Sequence, residues 1–362
     1  MNSTLEIQEQ RTELRMDLLE AFAGKMMNEL GAAVSGALVI LGDRLGIYEA
    51  LAKTGPVSSI GLAQATGLDE RYLREWLAAQ AASGYIECNP GEGFFWLNPE
   101  QAAVFAMPDH PATMIGGFYT MASAYHDEPK VEEAFKTGKG ISWADHHNCL
   151  FCGVDRFFRA GYAANLVSSW IPSLDGVEAK LKAGAKVADV GCGHGSSTVL
   201  MAKAFPNSFF TGFDIHEESI KAARGHAEDA GVSNVRFEVA TAKDFPGHDY
   251  DLVTVFDALH DMGDPVGASI HIRQALHKNG TWMIVEPMAG DSLAENLNPL
   301  GRLYYSVSTM VCTPGSKSQE VGLALGAQAG EKRLRAVIQE GGFTRFRRST
   351  QTMVNMVLEA HP

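Results

Sequence analysis

The sequence lacks a long uninterrupted apolar segment. Its most apolar early run, from Gly31 to Gly42, is far shorter than the roughly 20 residues that a membrane-spanning helix needs. The opening residues, MNSTLEIQEQRTELRMDLLE, carry too many charges for a signal peptide. We therefore expect a cytoplasmic protein with no membrane partner.

Basic residues are also scarce relative to acidic ones. The chain has 30 lysines and arginines but 43 aspartates and glutamates, which gives a formal net charge of −13 at pH 7. An extended nucleic-acid site needs a basic face, and so does a site for an anionic membrane surface. The composition therefore argues against a nucleic-acid partner.

Cysteine is scarce too, at five residues in 362, and an odd number argues for reduced thiols rather than a disulfide framework. The segment DHHNCLFC, from Asp145 to Cys152, combines two histidines with a C-x-x-C pair. A structural zinc site needs a second, matching pair, and the sequence has none. We therefore predict no metal site, and we interpret His146 and His147 as side chains that face a pocket or solvent.

The first part of the chain has a helical pattern followed by a winged helix-turn-helix pattern. Apolar residues at helical spacing continue to about Leu51. Residues 58–100 then predict a short helix, a turn at Gly67, a longer helix and an aromatic hairpin around NPGEG. The longer helix mixes acidic residues with Arg71 and Arg74 in its first turns, whereas a DNA-reading helix needs a basic face. We therefore predict that this region dimerises and caps a catalytic site rather than binding DNA.

The remaining sequence divides into a helical segment and an alternating one. We predict an N-terminal domain over residues 1–106, a helical bridge and substrate cap over 107–182, and a catalytic domain over 183–362. Most aromatic side chains of the bridge are interpreted as core, because aromatic rings bury large areas where helices pack, and a minority could line a pocket. The aromatic side chains of the bridge considered are Tyr119, Trp143, Phe151, Phe157, Phe158 and Tyr162.

After Lys186, strand-like and helical stretches alternate. The strand-like stretches are KVADVG, SFFTGFD, VRFEVA, YDLVTVFDALHD and GTWMIVEP. Such alternation predicts an open, largely parallel sheet that is covered by helices on both faces. A ligand should then bind beyond the carboxyl ends of the strands.

A glycine-rich loop follows the first of these strands. The stretch VADVGCGHGSS places Gly191, Gly193 and Gly195 on alternate positions, so the third glycine comes one residue too early for the dinucleotide pattern G-x-G-x-x-G. Asp189 lies just before the loop, and Asp214 ends the second strand, where an acidic residue can bind the hydroxyls of a ribose. These residues alone fit either NAD or another nucleoside cofactor.

The motifs in their order resemble one known family. VADVGCGHGSS, GFD, VFDALHD, GTWMIVEP and EGGFTRF together are similar to class I S-adenosylmethionine-dependent methyltransferases of the O-methyltransferase type, with an N-terminal winged-helix dimerisation domain. The likeness is greatest to a mycobacterial-type group and covers nearly the whole chain. It implies an α/β fold with a mostly parallel, Rossmann-like sheet of seven strands, and a homodimer formed through the N-terminal domain.

The resemblance also implies which residues hold the cofactor. S-adenosylmethionine would contact the glycine loop, the ends of the next strands and the third-strand segment FEVATAKDFP. That segment has Thr241 where many relatives have an aspartate, so adenine recognition would fall to Thr241, Ala242 or Asp244. The implied cofactor residues are Asp189, Gly191, Gly193, Gly195, Asp214, Thr241, Ala242 and Asp257.

Methyl transfer to a hydroxyl group requires a base, because the acceptor must lose a proton. His260 follows the fourth strand and matches the histidine that the resemblance assigns as the general base. A carboxylate can orient the ring and stabilise its charged form, and either Asp261 or Glu286 could do so. Oxygen is therefore the favoured acceptor atom, with nitrogen or sulfur as alternatives. Two other functions stay open, namely a winged-helix regulator that senses S-adenosylmethionine and an NAD-dependent oxidoreductase.

The acceptor itself is expected to be small and partly apolar. The segment from Met288 to Gly330 is long for a connection, and long insertions are usually functional. We predict that the acceptor pocket is lined by side chains from this insertion and from the bridge. The candidates are Tyr119, His146, His147, Arg302 and Tyr305.

Overall fold

The computed structural model describes residues 14–362, and the chain divides into two compact units with the boundary between Pro108 and Asp109. The helical bridge, predicted as a separate segment, falls in the second unit together with the sheet. The last part of the bridge packs against the sheet through apolar side chains. Leu166 and Trp170 are completely or almost completely buried in one hydrophobic cluster with Val187 and Phe210 of the sheet.

The first unit has the predicted winged helix-turn-helix layout. The helix Ser59–Thr66 and the recognition-type helix Glu70–Ala82 are joined by a turn at Gly67, whose φ of +72° is left-handed and favours glycine. The side chain of Asp69 caps the second helix by accepting a hydrogen bond from the backbone N–H of Tyr72 at 3.2 Å. A three-stranded sheet in the order β1–β3–β2 forms the wing. The helices are Met16–Arg44, Ile47–Thr54, Ser59–Thr66, Glu70–Ala82 and Pro99–Phe105, and the strands are β1 (Val57–Ser58), β2 (Glu87–Asn89) and β3 (Phe94–Trp96).

The long first helix buries little of its surface within the chain. Only three of its residues are buried, Ser35, Val39 and Gly42. Large apolar side chains remain exposed along it, among them Met27, Leu30 and Val34 at 64–70%. No single helix of the described residues is long and apolar enough to cross a membrane. The helices Met16–Arg44 and Ile47–Thr54 reach that length and hydropathy only when taken together, and a bend of 70° separates them.

The second unit is built on the predicted seven-stranded sheet. Its strand order is β6–β5–β4–β7–β8–β10–β9, with β4 to β8 parallel and β10 antiparallel between β8 and β9. The chain leaves β4 in one direction to build β5 and β6 and later returns to β7 on the other side of β4. The strands are β4 (Lys186–Val190), β5 (Phe209–Asp214), β6 (Val235–Val239), β7 (Tyr250–Phe256), β8 (Leu276–Pro287), β9 (Arg345–Gln351) and β10 (Asn355–His361).

Helices cover both faces of this sheet, as the alternating pattern predicts. The central strands are buried on both sides, which explains their continuous apolar sequence. The switch in direction at β4 leaves a crevice beyond the carboxyl ends of the strands, where such sheets bind ligands. The helices are Ile115–Thr137, Cys149–Asn165, Val177–Ala183, Ser196–Ala204, Glu217–Asp229, Pro265–Ala275, Pro299–Val307, Thr313–Lys317 and Gly330–Glu340, with two π-helical turns at Leu166–Trp170 and Ser308–Cys312 and short 3₁₀ turns at Trp143–Asp145, Ile171–Ser173, Leu259–Asp261 and Ala294–Asn296.

Candidate active site

A cavity of about 540 Å³ opens at the carboxyl ends of the parallel strands. The glycine loop, the ends of β5 and β7, and the segment after β6 form one side of it. Apolar side chains of the bridge form another. Residues from the insertion after β8 complete the lining. The result is one continuous cavity with polar and apolar walls.

The three glycines of the loop serve different purposes. All have left-handed backbone, with φ values of +74°, +52° and +77° for Gly191, Gly193 and Gly195. A side chain at Gly195 would meet Phe237 at 2.7 Å and Ala223 at 2.8 Å, so this glycine is required for packing. Nothing lies within 4 Å of the corresponding position at Gly193, which borders the cavity. Gly193 therefore leaves space for a ligand.

Asp214 ends β5 and lies on the cavity wall. Its Oδ2 atom accepts a hydrogen bond from the backbone N–H of Gly193 at 2.9 Å, and its Oδ1 atom accepts one from the N–H of His216 at 2.9 Å. Burial raises the pKa of Asp214, and these two backbone hydrogen bonds partly offset the rise. Each carboxylate oxygen keeps a further lone pair for the hydroxyls of a bound nucleoside.

Asp189 does not border the cavity, contrary to its predicted cofactor contact. Its Oδ2 atom accepts hydrogen bonds from the hydroxyls of Ser197 and Thr198, at 2.8 and 2.5 Å, and its Oδ1 atom accepts one from Thr254 at 2.9 Å. Burial raises its pKa, while these hydroxyls partly lower it. Asp189 thus ties β4 to β7 and to the helix that follows the glycine loop.

The three candidates for adenine recognition in the segment after β6 differ in position. Thr241 and Ala242 border the cavity, whereas Asp244 is absent from its wall. The Oδ1 atom of Asp244 accepts hydrogen bonds from the backbone N–H and the hydroxyl of Thr241, at 3.0 and 2.7 Å. Asp244 therefore fixes the turn that presents Thr241 and Ala242.

Asp257 follows β7 and borders the cavity. Its backbone is left-handed, with a φ of +48°. Tyr162 donates its hydroxyl hydrogen to Oδ2 at 2.9 Å, and Asn355 donates its amide to Oδ1 at 2.7 Å. Burial, helped by the nearby charge of Glu286, raises the pKa of Asp257 to about 8. Asp257 is therefore largely protonated at neutral pH.

His260 lies in the 3₁₀ turn after β7, between two carboxylates. Its Nδ1 atom is 2.6 Å from Oε2 of Glu286, and its Nε2 atom is 3.3 Å from Oδ1 of Asp261. Both predicted carboxylates thus contact the ring, one at each nitrogen. Asp261 borders the cavity, and His260 and Glu286 are buried behind it.

The two carboxylates control the charge of the ring. Burial by itself lowers the pKa of His260, but Asp261 and Glu286 outweigh it and hold the pKa well above its ordinary value. For Asp261, burial raises the pKa, and the rings of His260 and His146 partly offset the rise. A proton is therefore held in this group near neutral pH.

Cys312 completes this group and was missed from the sequence. It lies in a π-helical turn of the insertion, and its thiol interacts with both His260 and Asp261. Burial raises its pKa to about 11, so the thiol is neutral. The donor atoms of His260, Asp261 and Cys312 lie within 4.8 Å of one another, close enough to hold a metal ion. No local pattern links residues so far apart in the chain.

The apolar wall of the cavity comes from the bridge aromatics, most of which the sequence suggested were core. Trp143, Phe151, Phe158 and Tyr162 border the cavity, joined by Val154. Four of these lie on the helix Cys149–Asn165 at spacings of three or four residues, which is one helical face. Their spacing was visible in the sequence, but the sequence could not show that this face borders a cavity.

None of the five side chains predicted to line the acceptor pocket borders this cavity. Tyr119, Arg302 and Tyr305 do not border the cavity. Tyr119 is buried beneath Arg156, whose guanidinium lies 5.2 Å from the ring centre. Tyr305 is exposed, because its neighbour Tyr304 takes the inward position and donates its hydroxyl hydrogen to the carbonyl of Val354.

The two bridge histidines that were predicted to line the pocket, His146 and His147, point in different directions. His147 stacks on His126 with ring centres 3.9 Å apart, and its Nδ1 atom accepts a hydrogen bond from the N–H of Cys149. His146 is fully buried beside Trp143, and its Nδ1 atom is 3.0 Å from Oδ2 of Asp127. Neither ring reaches the cavity wall itself.

Comparison with known proteins identifies both parts of the chain. Residues 181–342 match a family model described as a methyltransferase domain, and residues 32–107 match one described as an Rv2258c-like winged HTH domain. Among curated proteins, the chain is 30% identical over 129 residues to the uncharacterized methyltransferase YcgJ of Bacillus subtilis. It is 32% identical over 126 residues to the ubiquinone biosynthesis O-methyltransferase of Thiobacillus denitrificans.

These alignments are partial. Each covers 34% of this chain, and the chain spans about half the length of the two relatives, 50% and 52%. Solved structures match over a greater length. Human N-acetylserotonin methyltransferase, in complex with SAM, has a TM-score of 0.69 at 16% identity, with 97% of this chain and 99% of that chain covered. The mitomycin 7-O-methyltransferase MmcR has a TM-score of 0.67 at 18% identity, with 96% and 100% covered.

The fold and the matched domains define the class of this protein. A winged helix-turn-helix domain is followed along the chain by a methyltransferase domain, and the fold is that of the class I S-adenosylmethionine-dependent methyltransferases. Residues 181–342 are thus a methyltransferase domain, whose cofactor is S-adenosylmethionine. The predicted fold, cofactor and family are thereby confirmed.

Proposed function

We propose that this chain transfers the methyl group of S-adenosylmethionine to a hydroxyl oxygen of a small, partly apolar acceptor. One observation carries the proposal. A single cavity brings the open glycine loop and Asp214 together with Asp261, the wall residue in contact with His260. The bound cofactor would supply an electrophilic methyl group, and the remaining chemistry is positioning and proton removal.

The loop residues fit this cofactor. The open position at Gly193 lets a nucleoside approach the backbone, and the carboxylate of Asp214 suits the hydroxyls of its ribose. Thr241 and Ala242 would contact the adenine ring. Asp257 would contribute through a neutral carboxyl group, since its raised pKa keeps the proton on it.

His260 would act as the general base, with Glu286 and Asp261 as its two supports. Glu286 contacts Nδ1 and fixes the orientation of the ring, so Nε2 is the atom that exchanges a proton. Nε2 lies next to Asp261, which borders the cavity and stabilises the imidazolium that forms. Because Asp261 lies between the cavity and the ring, the acceptor's O–H bond breaks and its proton reaches Nε2 by way of the Asp261 carboxylate. The electron pair stays on the oxygen that attacks the methyl carbon.

The acceptor would lie against the aromatic face formed by Trp143, Phe151 and Phe158. Such a wall suits an apolar ring, and Asp261 suits a polar group attached to it. A nitrogen or sulfur acceptor would need His260 less, because a thioether has no proton to lose. The buried pairing of His260 with Glu286 therefore favours oxygen.

The N-terminal unit would form a two-fold homodimer. The exposed apolar stripe of the helix Met16–Arg44 needs a cover, and a second copy of the same surface is the commonest solution. Arg71 and Arg74 of the recognition-type helix are paired with Glu75 and Glu70, at 2.6 and 3.3 Å. These pairings give no support to a role in binding DNA phosphates.

Calorimetry tests the cofactor, and mass spectrometry tests the reaction. We expect S-adenosylmethionine to bind and NADH not to bind, and we expect Asp214→Ala to weaken binding by about 2 kcal/mol through loss of charge-assisted hydrogen bonds. Incubation with methyl-labelled S-adenosylmethionine and a panel of one- and two-ring phenols should label a hydroxyl oxygen. Binding of NADH alone would contradict the cofactor, and labelling only of amines or thioethers would contradict the acceptor class.

A further inference from the structure

Three side chains with metal-binding atoms meet in the group formed by His260, Glu286, Asp261 and Cys312. A ring nitrogen of His260, a carboxylate oxygen of Asp261 and Sγ of Cys312 lie within 4.8 Å of one another. Two of them come from the turn after β7, and the third comes from the π-helical turn Ser308–Cys312 of the insertion. Single π-helical turns are rare and are frequent at functional sites. An imidazole, a carboxylate and a thiol thus converge from two distant parts of the chain.

Glu286 decides which nitrogen of the ring is available. Its Oε2 atom lies 2.6 Å from Nδ1 of His260, and its Oε1 atom accepts a hydrogen bond from the N–H of Leu259 at 2.9 Å. A histidine that binds a metal ion almost always contacts a carboxylate, a carbonyl or water through its other ring nitrogen. Nε2 of His260 is therefore the available atom, and a buried carboxylate orients it as a metal ligand is usually oriented.

The distance between His260 and Asp261 is that of two ligands of one ion. Tetrahedral bonds of about 2.0–2.2 Å place a nitrogen and an oxygen ligand about 3.3–3.5 Å apart. Nε2 of His260 and Oδ1 of Asp261 are 3.3 Å apart. Oδ1 is buried and has no hydrogen-bond partner among the described residues, which is unusual for a polar atom in a folded protein. A cation between the two atoms would satisfy Oδ1.

The donor atoms identify the kind of cation. Mg²⁺ and Ca²⁺ take oxygen ligands, whereas a set of one nitrogen, one oxygen and one sulfur suits Zn²⁺. Three protein ligands with a fourth position left open are also the pattern of zinc sites that bind water or a substrate. Asp261 borders the cavity, so a fourth ligand can enter from that side.

We propose that His260, Asp261 and Cys312 form a binding site for Zn²⁺, with Glu286 as the support of the histidine ligand. Nε2, a carboxylate oxygen and Sγ each form one bond to the ion. The proton of the thiol, and that of Nε2 where the ring is charged, pass to solvent. The ion then occupies the nitrogen that would accept the acceptor's proton, so bound Zn²⁺ inhibits methyl transfer. Only this inhibition rests on the proposed function.

The test must separate this site from other thiols that bind Zn²⁺. Cys149 is half-buried and Cys152 is exposed, and together they form the C-x-x-C pair of the bridge. The full chain with Cys149→Ser and Cys152→Ser is therefore the background protein for every measurement. It should still bind Zn²⁺ in calorimetry. Loss of Zn²⁺ binding in this background would assign the metal to the C-x-x-C pair and overturn the proposal.

Cobalt spectroscopy then identifies the ligands without cofactor or acceptor. Co²⁺ serves as a probe for the zinc site, and a thiolate ligand gives a sulfur-to-cobalt charge-transfer band in the near ultraviolet. The background protein should show this band, and adding Cys312→Ser should abolish it. Adding Glu286→Gln instead should weaken Zn²⁺ binding about 10- to 100-fold, the usual effect of losing such a support. A band that persists in the Cys312→Ser variant would refute the site.

X-ray absorption at the zinc edge decides the question if Cys312→Ser does not fold. In the background protein loaded with Zn²⁺, we expect one sulfur ligand at about 2.3 Å and nitrogen or oxygen ligands at about 2.0–2.2 Å. A spectrum with no sulfur ligand, or with two, would contradict the proposed set of ligands.

The metal site and the proposed function fail separately. Absence of the cobalt band contradicts the site, whatever the reaction proves to be. Zn²⁺ that binds with one sulfur ligand and leaves methyl transfer unchanged would instead contradict His260 as the base, because the ion and the proton need the same nitrogen.

Discussion

The Nδ1 atom of His260 lies 2.6 Å from Oε2 of Glu286, and the other oxygen of that carboxylate accepts the backbone N–H of Leu259 at 2.9 Å. One buried glutamate on β8 therefore fixes both the imidazole ring and the turn that carries it. Since Nδ1 is occupied, proton exchange is left to Nε2, on the side of Asp261. This arrangement leads to the first prediction.

Replacing His260 by Gln should lower turnover about 10²- to 10⁴-fold on a hydroxyl acceptor, because glutamine keeps polarity but cannot accept a proton at neutral pH. Cofactor affinity should stay nearly constant, since His260 does not border the cavity. Turnover and calorimetric affinity are measured together, with the exposed His248→Gln as control. Equal losses of turnover and cofactor binding would assign the ring a structural role instead.

The rate should rise with pH on the alkaline side of the ordinary histidine pKa. Asp261 and Glu286 hold the pKa of His260 well above its ordinary value despite burial, so the unprotonated base becomes available only as pH increases. The contribution of His260 to the free energy of unfolding should instead fall as pH rises. A raised folded-state pKa gives stabilisation that is complete below the unfolded-state pKa and is lost as pH rises through the folded-state pKa.

The measurement is kcat/KM against pH, and Asp261→Asn should move its rising limb to lower pH because a nearby negative charge is removed. A rate that falls as pH rises through this range in the unmodified chain would contradict a base at His260.

Asp257→Asn should stabilise the fold at high pH. Its carboxyl has a pKa of about 8 when folded and an ordinary value of 3.8, so ionisation costs stability progressively as pH rises between those values. An amide carries no charge, and asparagine tolerates the left-handed φ of +48°. We expect a gain of about 1–3 kcal/mol in unfolding free energy at alkaline pH, and less at acidic pH.

Urea denaturation at several pH values measures this difference. Asp249→Asn is the control, because Asp249 also has positive φ, at 57°, but its side chain is 70% exposed. A similar gain in both variants would mean that the backbone conformation, and not the buried charge, is responsible.

The glycine loop allows binding and packing to be separated. Gly193→Val should abolish S-adenosylmethionine binding while the chain stays folded, because the new side chain enters open space beside the cavity. Gly195→Ala should instead lower stability by about 1–3 kcal/mol, because its Cβ meets Phe237 and Ala223 below 3.0 Å.

Calorimetry and thermal denaturation of both variants are compared with Gly138→Ala. Gly138 has a φ of +71° and no neighbour within 4 Å, so this control gives the cost of the backbone conformation alone. Unchanged cofactor affinity in Gly193→Val would show that the loop is not the binding site.

The sequence predicted the positions that depend on local order along the chain. The glycines, Asp214 and His260 follow strand ends, and parallel strands bring such ends to one edge of a sheet. Asp189 has the same kind of position, yet three hydroxyls occupy its oxygens, and hydroxyl partners from other elements cannot be read from spacing. The strand pattern therefore predicted the location of Asp189 but not its hydrogen-bond partners.

Side chains of the helices were harder to place. Tyr304 and Tyr305 are adjacent, and only the packing of their helix decides which one is buried. Cys312 contacts His260 through an insertion whose path no local pattern specifies. The aromatic face of Phe151, Phe158 and Tyr162 has the periodicity of a buried helix, and a cavity lining has the same periodicity as a core.

The last prediction concerns the exposed stripe of the helix Met16–Arg44. Met27, Leu30 and Val34 recur at spacings of three and four residues and are 64–70% exposed, so they share one helical face. We expect a dimer in light scattering at micromolar concentration. Leu30→Glu combined with Val34→Glu should give a monomer, because a two-fold interface repeats each introduced charge on both copies of the same surface. Phe135→Glu, at an equally exposed apolar residue of the second unit, should remain dimeric. A monomeric unmodified chain, or a double variant that stays dimeric, would place the association surface elsewhere.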